Sequence, residues 1–296
     1  MASIIMDGKA VAAAFRQAIA EQARELREKT GVTPGLGVVL AGDDPASHSY
    51  VAGKEKACQE VGFYSETRRL PAGVTQDELH RVIAEMNADP RIHGLLVQFP
   101  LPKHLDQDRV PELILPEKDV DCFTAVNIGR MMAGLPSFTP CTPNGILHLL
   151  LHAGVKTEGA HVVIVGRSNT VGRPLAHLMS RKAPGGNATV TMCHTATRGL
   201  VNFTRQADIL VVSTGRADTI LPGMVKEGAV VVDVGVNRVP DETKPKGFRL
   251  VGDVNPAALD IAAMHTPVPG GVGPMTITML LENTLRAAKT AAGVAL

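Results

Sequence analysis

A tyrosine and a lysine stand four residues apart in the stretch SYVAGKEKA, residues 49–57. The stretch predicts a helix, and residues four apart lie on one face of a helix, so Tyr50 and Lys54 should be neighbours. A lysine that has lost its proton can act as a base, and burial or a nearby cation favours that neutral form. Solvated Tyr–Lys pairs on helix surfaces show the same spacing. The pair alone therefore leaves two interpretations open, proton transfer and an ordinary surface contact.

Two other stretches carry polar side chains that could bind a substrate. Gln98 ends the apolar run of GLLVQFPLP, and ligands of open α/β sheets gather at the carboxyl ends of strands. Asp119 and Asp121 stand two apart in PEKDVDCF, so on an extended segment they would share one face. A carboxylate can accept two hydrogen bonds from an amidine-like N–H pair. A glutamine that caps a loop and aspartates that stabilise a turn are the alternatives.

The stretch HVVIVGRSNTVGRPLAHLM indicates a strand, a glycine turn and a helix, with Gly166 at the turn and Gly172 six residues later. Small residues let the backbone approach a pyrophosphate, and the helix start offers N–H groups and a positive dipole end. An NAD site usually has an acidic residue on the second strand, but none occurs between Glu158 and Asp208. Arginines occur there instead, which favours the 2′-phosphate of NADP. An ordinary tight turn is the alternative.

The elements that must position these residues alternate between helix and strand patterns. Val- and Ile-rich runs separated by helix-length segments are typical of parallel strands buried on both faces. We predict an α/β protein with two lobes and a last helix that packs back on the first lobe. The predicted domains are 1–140, to which 271–296 return, and 141–270. The predicted strands are 35–42, 94–100, 161–166, 188–194, 207–214 and 229–235, and the predicted helices include 8–29, 47–61 and 145–154.

The composition excludes several classes of protein. The chain has 296 residues, 45% of them hydrophobic and 20% charged, and its formal net charge of +1 gives no electrostatic basis for binding nucleic acid. No apolar run reaches the length of a membrane span, and the N-terminus does not resemble a signal peptide. The four cysteines form no CxxC pair, so neither a metal site nor a disulfide framework is predicted. We expect reduced cysteines and a cytoplasmic protein that acts on a small molecule.

Taken together, these motifs resemble the bifunctional 5,10-methylenetetrahydrofolate dehydrogenase/5,10-methenyltetrahydrofolate cyclohydrolase family in its bacterial form. The resemblance implies an N-terminal α/β catalytic domain that binds folate and a Rossmann-like domain that binds NADP. It also implies a homodimer. The matching stretches fall in order along the chain: SHSYVAGKEKACQEVGF, GLLVQFPLP, PEKDVDCF, PCTPNGI, GRSNTVGRP, DVGVNR, VGDV and PGGVGPMT.

The resemblance implies a role for each matching residue on the folate side. Lys54 is expected to be the catalytic lysine, and Gln98 to hydrogen-bond near it. Tyr50 is expected to flank the pterin and aminobenzoyl groups, and Asp121 to hold the N–H edge of the pterin. Further substrate contacts are expected from Pro269, Gly270 and Gly271.

The resemblance also implies which residues bind the cofactor. The phosphates of NADP are expected at Gly166, Arg167 and Ser168. Contacts to the rest of the cofactor are expected from Thr195 and from the backbone of Val236. The two reactions implied are the oxidation of 5,10-methylenetetrahydrofolate and the hydrolysis of the methenyl product to 10-formyltetrahydrofolate.

One position departs from the family pattern. The family usually has glycine where this chain has Cys122, directly after Asp121. A positive φ at that position would strain a cysteine, whereas close approach alone would tolerate a small thiol. Two other functions remain open on the sequence: another NADP-dependent dehydrogenase with two lobes, acting on shikimate or an amino acid, and a non-catalytic regulator that binds nucleotide or folate.

Overall fold

The computed structural model describes residues 3–244 and 247–295, which form two compact units. The six-stranded unit comprises the described residues up to Ala12 together with Thr142–Thr276. The three-stranded unit comprises Ala13–Cys141 together with the described residues from Ile277 onward. The first residues group with the six-stranded unit, unlike the predicted bounds, because Ile4 and Ile5 pair with Met264 and His265 in its sheet.

Strands and helices alternate along most of the chain. The strands are β1 (Ile4–Ile5), β2 (Gly35–Ala41), β3 (Tyr64–Leu70), β4 (Gly94–Val97), β5 (His161–Val165), β6 (Thr189–Cys193), β7 (Ile209–Val212), β8 (Val230–Asp233), β9 (Asn237–Pro240), β10 (Phe248–Val251) and β11 (Met264–His265). The helices are α1 (Gly8–Thr30), α2 (Pro45–Glu60), α3 (Gln76–Ala88), α4 (Ala125–Met132), α5 (Cys141–His152), α6 (Gly172–Ser180), α7 (Leu200–Thr204) and α8 (Val272–Ala291). Short 3₁₀ turns span Pro111–Leu113 and Pro256–Ala258.

Parallel sheets form the centre of both units, which confirms the predicted fold class. The three-stranded sheet has the order β3-β2-β4, and every residue of the central strand β2 is buried. The other sheet has the order β1-β11-β8-β7-β5-β6. Helices cover parallel sheets on both faces, which explains the nearly unbroken apolar runs of β4, β5 and β7.

Side-chain caps explain where several helices begin. Asp7 accepts hydrogen bonds from the backbone N–H groups of Lys9 and Ala10 at the start of α1. Thr75 and Glu78 form the capping box of α3 that the sequence predicts. The helix α5 begins at Cys141, four residues before the predicted start at Gly145.

The strand β3 and the antiparallel pair β9–β10 were not predicted. The sequence of β3, YSETRRL, is polar, and the side chains of β3 remain exposed or partly exposed at one edge of the sheet. The strand β4 at the other edge is buried, and its Leu95 forms a β-bridge with Asp119. The pair β9–β10 is a separate two-stranded sheet whose residues are exposed or half-buried. Neither segment shows the continuous apolar run by which the other strands were recognised.

The last helix, α8, packs on the three-stranded unit, as predicted. Its Asn283 Nδ2 donates to the carbonyl oxygen of Val120 at 2.8 Å, and its Arg286 Nη1 donates to that of Ser137 at 2.8 Å. Lys289 Nζ donates to Gln22 on α1. Among the described residues, no helix is both long and apolar enough to cross a bilayer.

Candidate functional site

Tyr50, Lys54 and Cys58 form a stripe along one face of α2, because they follow one another at intervals of four residues. The stripe runs from exposed to buried: Tyr50 is 49% exposed, Lys54 is half-buried and Cys58 is fully buried. Burial raises the pKa of the Cys58 thiol to about 12. Lys56 points to solvent with a side chain 77% exposed. Lys54 and Lys56 therefore differ in burial, and only Lys54 lies on the stripe with Tyr50 and Cys58.

The structure brings Lys54 and Gln98 together. Lys54 Nζ donates a hydrogen bond of 3.0 Å to Gln98 Oε1. The amide of Gln98 is held in turn, since its Nε2 donates to the carbonyl oxygen of Phe99 at 2.7 Å and its backbone N–H donates to that of Val39. An amide oxygen accepts a hydrogen bond from an ammonium or from a neutral amine. Gln98 can therefore hold Lys54 in place in both protonation states.

Asp119 forms an isolated β-bridge with Leu95 and begins a turn that contains Asp121, so the two aspartates do not lie on one extended segment. The backbone N–H of Cys122 donates to the carbonyl oxygen of Asp119 at 3.0 Å, which closes the turn. The carboxylate of Asp119 is buried and accepts hydrogen bonds from Phe123, Thr124 and Asn127. Burial raises its pKa, and these hydrogen bonds oppose the shift. Asp119 is therefore structural, and Asp121 remains partly exposed.

Two residues that the sequence analysis did not assign, Cys141 and Asn283, hold the turn beside Asp121. Cys141 Sγ and Asn283 Nδ2 both donate to the carbonyl oxygen of Val120. Cys122 Sγ donates to the carbonyl oxygen of Phe138, and the φ of Cys122 is +60°, in the left-handed region. The strain foreseen for a cysteine at this position is therefore present. The stretch PCTPNGI was the signal for Cys141, whereas nothing local pointed to Asn283.

Electrostatics link this turn to Lys54. Burial raises the pKa of the Cys141 thiol well above its usual value, the charge of Asp121 raises it further, and the charge of Lys54 opposes them. Lys54, Gln98, Asp121 and the Cys141 thiol therefore belong to one polar region of the three-stranded unit. Gln98 directly follows β4, so the region lies at the carboxyl end of a parallel strand, where α/β proteins bind ligands.

The glycine turn in the six-stranded unit is as tight as its sequence suggests. Gly166 directly follows β5 with a φ of +135°, and a Cβ there would lie 2.4 Å from the carbonyl oxygen of Ser213. A Cβ on Gly172 would lie 2.2 Å from the carbonyl oxygen of Gly166. Both positions require glycine for close packing. The Oγ of Ser213, which follows β7, is buried beside this turn with no hydrogen-bond partner among the described atoms.

The other residues predicted to bind cofactor follow neighbouring strands at the same edge of the sheet. Arg167 and Ser168 follow β5, Thr195 follows β6, and Val236 follows β8 with 45% of its surface exposed. Ser168 Oγ accepts from the backbone N–H groups of Val171 and Gly172, which fixes the turn that leads into α6. Carboxyl ends of parallel strands meet at one edge, so these residues converge where a doubly wound sheet binds a nucleotide.

A pair of buried carboxylates, missed by the sequence analysis, supports the loops at this edge. Asp253 Oδ2 accepts from the backbone N–H groups of Thr214 and Gly215, and its Oδ1 accepts from Asn237 Nδ2. Asp233 accepts from the backbone N–H groups of Gly235, Asp253 and Val254. Burial raises the pKa of Asp233 to about 6. The stretches DVGVNR and VGDV contain both aspartates, but the sequence did not reveal that they share hydrogen bonds.

Pro269, Gly270 and Gly271 lie in the six-stranded unit, just before α8, whereas Tyr50, Lys54, Gln98 and Asp121 lie in the other unit. Gly270 has a φ of +113°. A Cβ on Gly271 would lie 2.7 Å from the Cβ of Thr266. Packing inside their own unit therefore already requires glycine at 271 and favours it at 270.

Comparison with known proteins identifies both parts of the chain. Residues 6–121 match the family model "Tetrahydrofolate dehydrogenase/cyclohydrolase, catalytic domain", and residues 140–292 match "Tetrahydrofolate dehydrogenase/cyclohydrolase, NAD(P)-binding domain". The chain is 52% identical over 296 residues to the bifunctional protein FolD of Dehalococcoides mccartyi strain CBDB1, covering 99% of each chain.

Two solved structures have the same fold over nearly the whole chain. The bifunctional FolD methylenetetrahydrofolate dehydrogenase/cyclohydrolase of Campylobacter jejuni is 44% identical, with a TM-score of 0.90 over 98% of this chain and 99% of that one. The Trypanosoma brucei enzyme, solved as a complex with NADP cofactor and inhibitor, is 38% identical, with a TM-score of 0.93 over 98% of each chain.

Proposed function

Because the chain belongs to the tetrahydrofolate dehydrogenase/cyclohydrolase family, we propose that it catalyses two successive reactions of one-carbon metabolism. It oxidises 5,10-methylenetetrahydrofolate with NADP to 5,10-methenyltetrahydrofolate, and it hydrolyses this product to 10-formyltetrahydrofolate. The observation that carries the proposal is the Lys54–Gln98 hydrogen bond of 3.0 Å at the carboxyl end of β4. It supplies an oriented amine at the edge of the sheet where ligands of this fold class bind.

The residues of the six-stranded unit fit NADP. The close packing of Gly166 leaves no side chain between the backbone and a pyrophosphate, and the unpartnered Oγ of Ser213 beside it can donate to a ligand. The exposed Arg167 offers a guanidinium to the 2′-phosphate, and Ser168, Thr195 and Val236 complete the site. NADP supplies the hydride acceptor of the first reaction. The chain contributes binding and orientation.

Asp121 and Tyr50 are proposed to bind the folate. The carboxylate of Asp121 is held by a turn whose carbonyls are anchored, so it can accept from the N–H edge of the pterin with little loss of entropy. The half-exposed ring of Tyr50 offers an apolar face to the planar part of the substrate. Pro269, Gly270 and Gly271 are proposed to contribute further contacts to the substrate.

Lys54 is proposed to move the protons of the hydrolysis. Water adds to the methenyl carbon and loses one proton, which gives a neutral carbinolamine. N5 then gains a proton, the bond from that carbon to N5 breaks, and the hydroxyl group releases its remaining proton to solvent as the formyl C=O forms. Lys54 Nζ accepts the proton of the water and returns one to N5, while Gln98 Oε1 holds the amine throughout. The positive charge of the methenyl substrate favours the neutral form of a nearby amine, which is the form that can act as a base.

An absorbance assay on the purified chain tests both activities. With 5,10-methylenetetrahydrofolate and NADP, we expect NADPH to form. With 5,10-methenyltetrahydrofolate alone, we expect its near-ultraviolet absorption to decay faster than without protein. NADPH formation without faster decay would contradict the cyclohydrolase proposal, and the absence of both signals would overturn the whole assignment. Shikimate with NADP serves as the control substrate and should give no NADPH.

The family resemblance also leads us to propose a homodimer in the cytoplasm. The four cysteines are free and buried, which suits a reducing compartment. Sedimentation equilibrium of the full chain measures the oligomeric state directly, and a monomer at micromolar concentration would contradict the dimer. Fractionation of the source cells, followed by detection of the chain, tests the location.

A further inference from the structure

A cavity of about 790 Å³ lies in the three-stranded unit, away from the residues of the proposed folate site. Its volume falls within the roughly 300–1,000 Å³ range of cavities that bind small molecules. Much of its lining is apolar and includes Pro90, Ile92, Pro136 and Phe138, together with Ala287 and Ala291 of α8. Such a surface suits a ligand with an apolar body.

The cavity lies at the opposite end of β4 from Gln98. His93, which lines the cavity, directly precedes the first residue of β4, whereas Gln98 directly follows the last. Five residues of extended chain span about 16 Å. Neither Lys54, Asp121 nor Tyr50 lines this cavity, so it is separate from the residues proposed to carry the chemistry.

The charged groups around the cavity are mainly cationic. Lys118, Arg130 and Arg286 line it, and Glu117 is the one acidic residue among its lining residues. Burial lowers the pKa of His93, so His93 adds no positive charge at neutral pH. A surplus of positive charge around an apolar pocket favours a ligand that carries a negative group.

Arg130 and Arg286 have guanidinium N–H groups that could bind a ligand. Arg286 Nη1 donates to the carbonyl oxygen of Ser137, and its guanidinium lies 6.0 Å from the ring of Phe138, which holds the group at the cavity wall while its other N–H groups keep no described partner. The guanidinium of Arg130 makes no hydrogen bond or ion pair within residues 3–244 and 247–295, although the backbone carbonyl of Arg130 accepts from the N–H of Leu135. Lys118 is different, because its Nζ already donates to the carbonyl oxygens of Asn87 and Asp89. The guanidinium groups are therefore the groups available to an anion.

We propose that this cavity binds an organic anion, whose ring-bearing apolar body packs against Ile92, Phe138 and α8 and whose charged group is bound by Arg130 and Arg286. The apolar lining provides affinity without direction, and the two guanidinium groups fix the orientation of the ligand. The anion can be a carboxylate, a sulfonate or a phosphate, since a guanidinium binds each of them through paired N–H groups.

Two probes that share one ring system test the proposal on the full chain. 8-Anilinonaphthalene-1-sulfonate carries an anionic group, and N-phenyl-1-naphthylamine is its neutral counterpart. Titrations are followed by fluorescence in saturating NADP, so that the nucleotide site is not available to the probes. We expect one sulfonate bound per chain and an affinity at least about tenfold higher than that of the neutral probe, the effect of one charge-assisted hydrogen bond.

Three variants locate the binding. Arg130→Gln should weaken the sulfonate about tenfold and leave the neutral probe unchanged, and Ala291→Trp should weaken both probes by filling the cavity. Arg81→Gln is the matched control, since its exposed arginine does not line the cavity, and it should bind like the wild type. Arg130 and Ala291 are exposed, so their replacement should not unfold the chain. Equal affinity for the two probes, no binding of the sulfonate, or wild-type affinity in Arg130→Gln would each overturn the proposal.

Discussion

Lys54 and the aspartate pair Asp233–Asp253 show two ways in which this chain treats a charged group in its interior. Lys54 is half-buried and has a single described acceptor, Gln98 Oε1. Asp253 is fully buried and accepts from Thr214, Gly215 and Asn237, and Asp233 accepts three backbone N–H groups. A buried charge is stable when its hydrogen-bonding capacity is filled. The group left with spare capacity is the one able to react.

The largest effect is expected from removing the amine. Lys54→Met should lower methenyltetrahydrofolate hydrolysis about 10³-fold, within the range that general acid–base catalysis contributes, because methionine cannot carry a proton. NADP binding, measured by calorimetry, should not change. Lys56→Met is the matched control, since Lys56 is exposed on the same helix, and it should keep full activity. Hydrolysis at the wild-type rate in Lys54→Met would remove Lys54 from the mechanism.

Substitution of Asp253 in the aspartate pair should lower the stability of the folded chain. In the wild type, one carboxylate oxygen of Asp253 accepts from the N–H groups of Thr214 and Gly215, and the other accepts from Asn237. Asp253→Asn replaces one of these oxygens with an NH₂ group, which cannot accept a hydrogen bond. We therefore expect a loss of about 3 kcal/mol in the free energy of unfolding. NADP affinity should also fall, because Thr214 and Gly215 follow β7 at the proposed cofactor edge. Urea unfolding and calorimetry measure the two effects. Asp260→Asn, at an exposed position, should change neither.

The raised pKa of Asp233 predicts that the stability of the folded chain depends on pH. The pKa of Asp233 is raised from 3.8 to about 6, so between these values the folded chain binds more protons than the unfolded chain. Its contribution to stability is therefore greatest below about pH 4 and is lost as the pH rises to 6, by about 3 kcal/mol in total. Relative to the wild type, Asp233→Asn should gain about 2 kcal/mol of this amount between pH 4 and pH 7 in urea unfolding. A constant difference across that range would show that the burial of Asp233 carries no electrostatic cost.

Arg167 is a third kind of charged group, because its proposed partner is the 2′-phosphate of the bound cofactor. Arg167→Ala should weaken NADP binding about tenfold or more and leave NAD binding unchanged, because only NADP has the 2′-phosphate. Binding constants for both nucleotides, measured by calorimetry, decide the point. Arg205→Ala, which alters an exposed arginine at the end of α7, is the control. Equal weakening of NAD and NADP would refute the 2′-phosphate assignment.

The smallest effect is expected at Cys122, where the backbone and not a charge is strained. Cys122→Gly and Cys122→Ala both lose the hydrogen bond from Sγ to Phe138, but only glycine accepts a φ of +60° without cost. The glycine variant should be more stable than the alanine variant by about 1 kcal/mol in urea unfolding. Equal stability of the two variants would mean that the surrounding hydrogen bonds, and not φ, determine the turn.

Much of the fold and part of the site followed from local pattern. Apolar runs predicted β2, β4, β5, β7 and β8 to within a few residues, because strands buried on both faces must be apolar throughout. The strand β6 was predicted with them, although it lies at the edge of its sheet with most of its residues partly exposed. The polar edge strand β3 and the pair β9–β10 were not predicted, because strands that stay partly exposed need not be apolar throughout. Asp119 and Asp121 looked equivalent in PEKDVDCF, and only the turn at Cys122 distinguished the buried residue from the accessible one.

The sequence alone determined what depends on near neighbours: the shared face of Tyr50 and Lys54, the glycine turn at Gly166, and the absence of an acidic residue between Glu158 and Asp208. Tertiary structure decided what depends on residues far apart in the chain. Asn283 meets Val120 across 163 positions, and the cavity beside Arg286 exists only because α8 packs on the three-stranded unit. Spacing fixes neighbours within a helix or turn, whereas a hydrogen bond between distant segments depends on how whole elements pack.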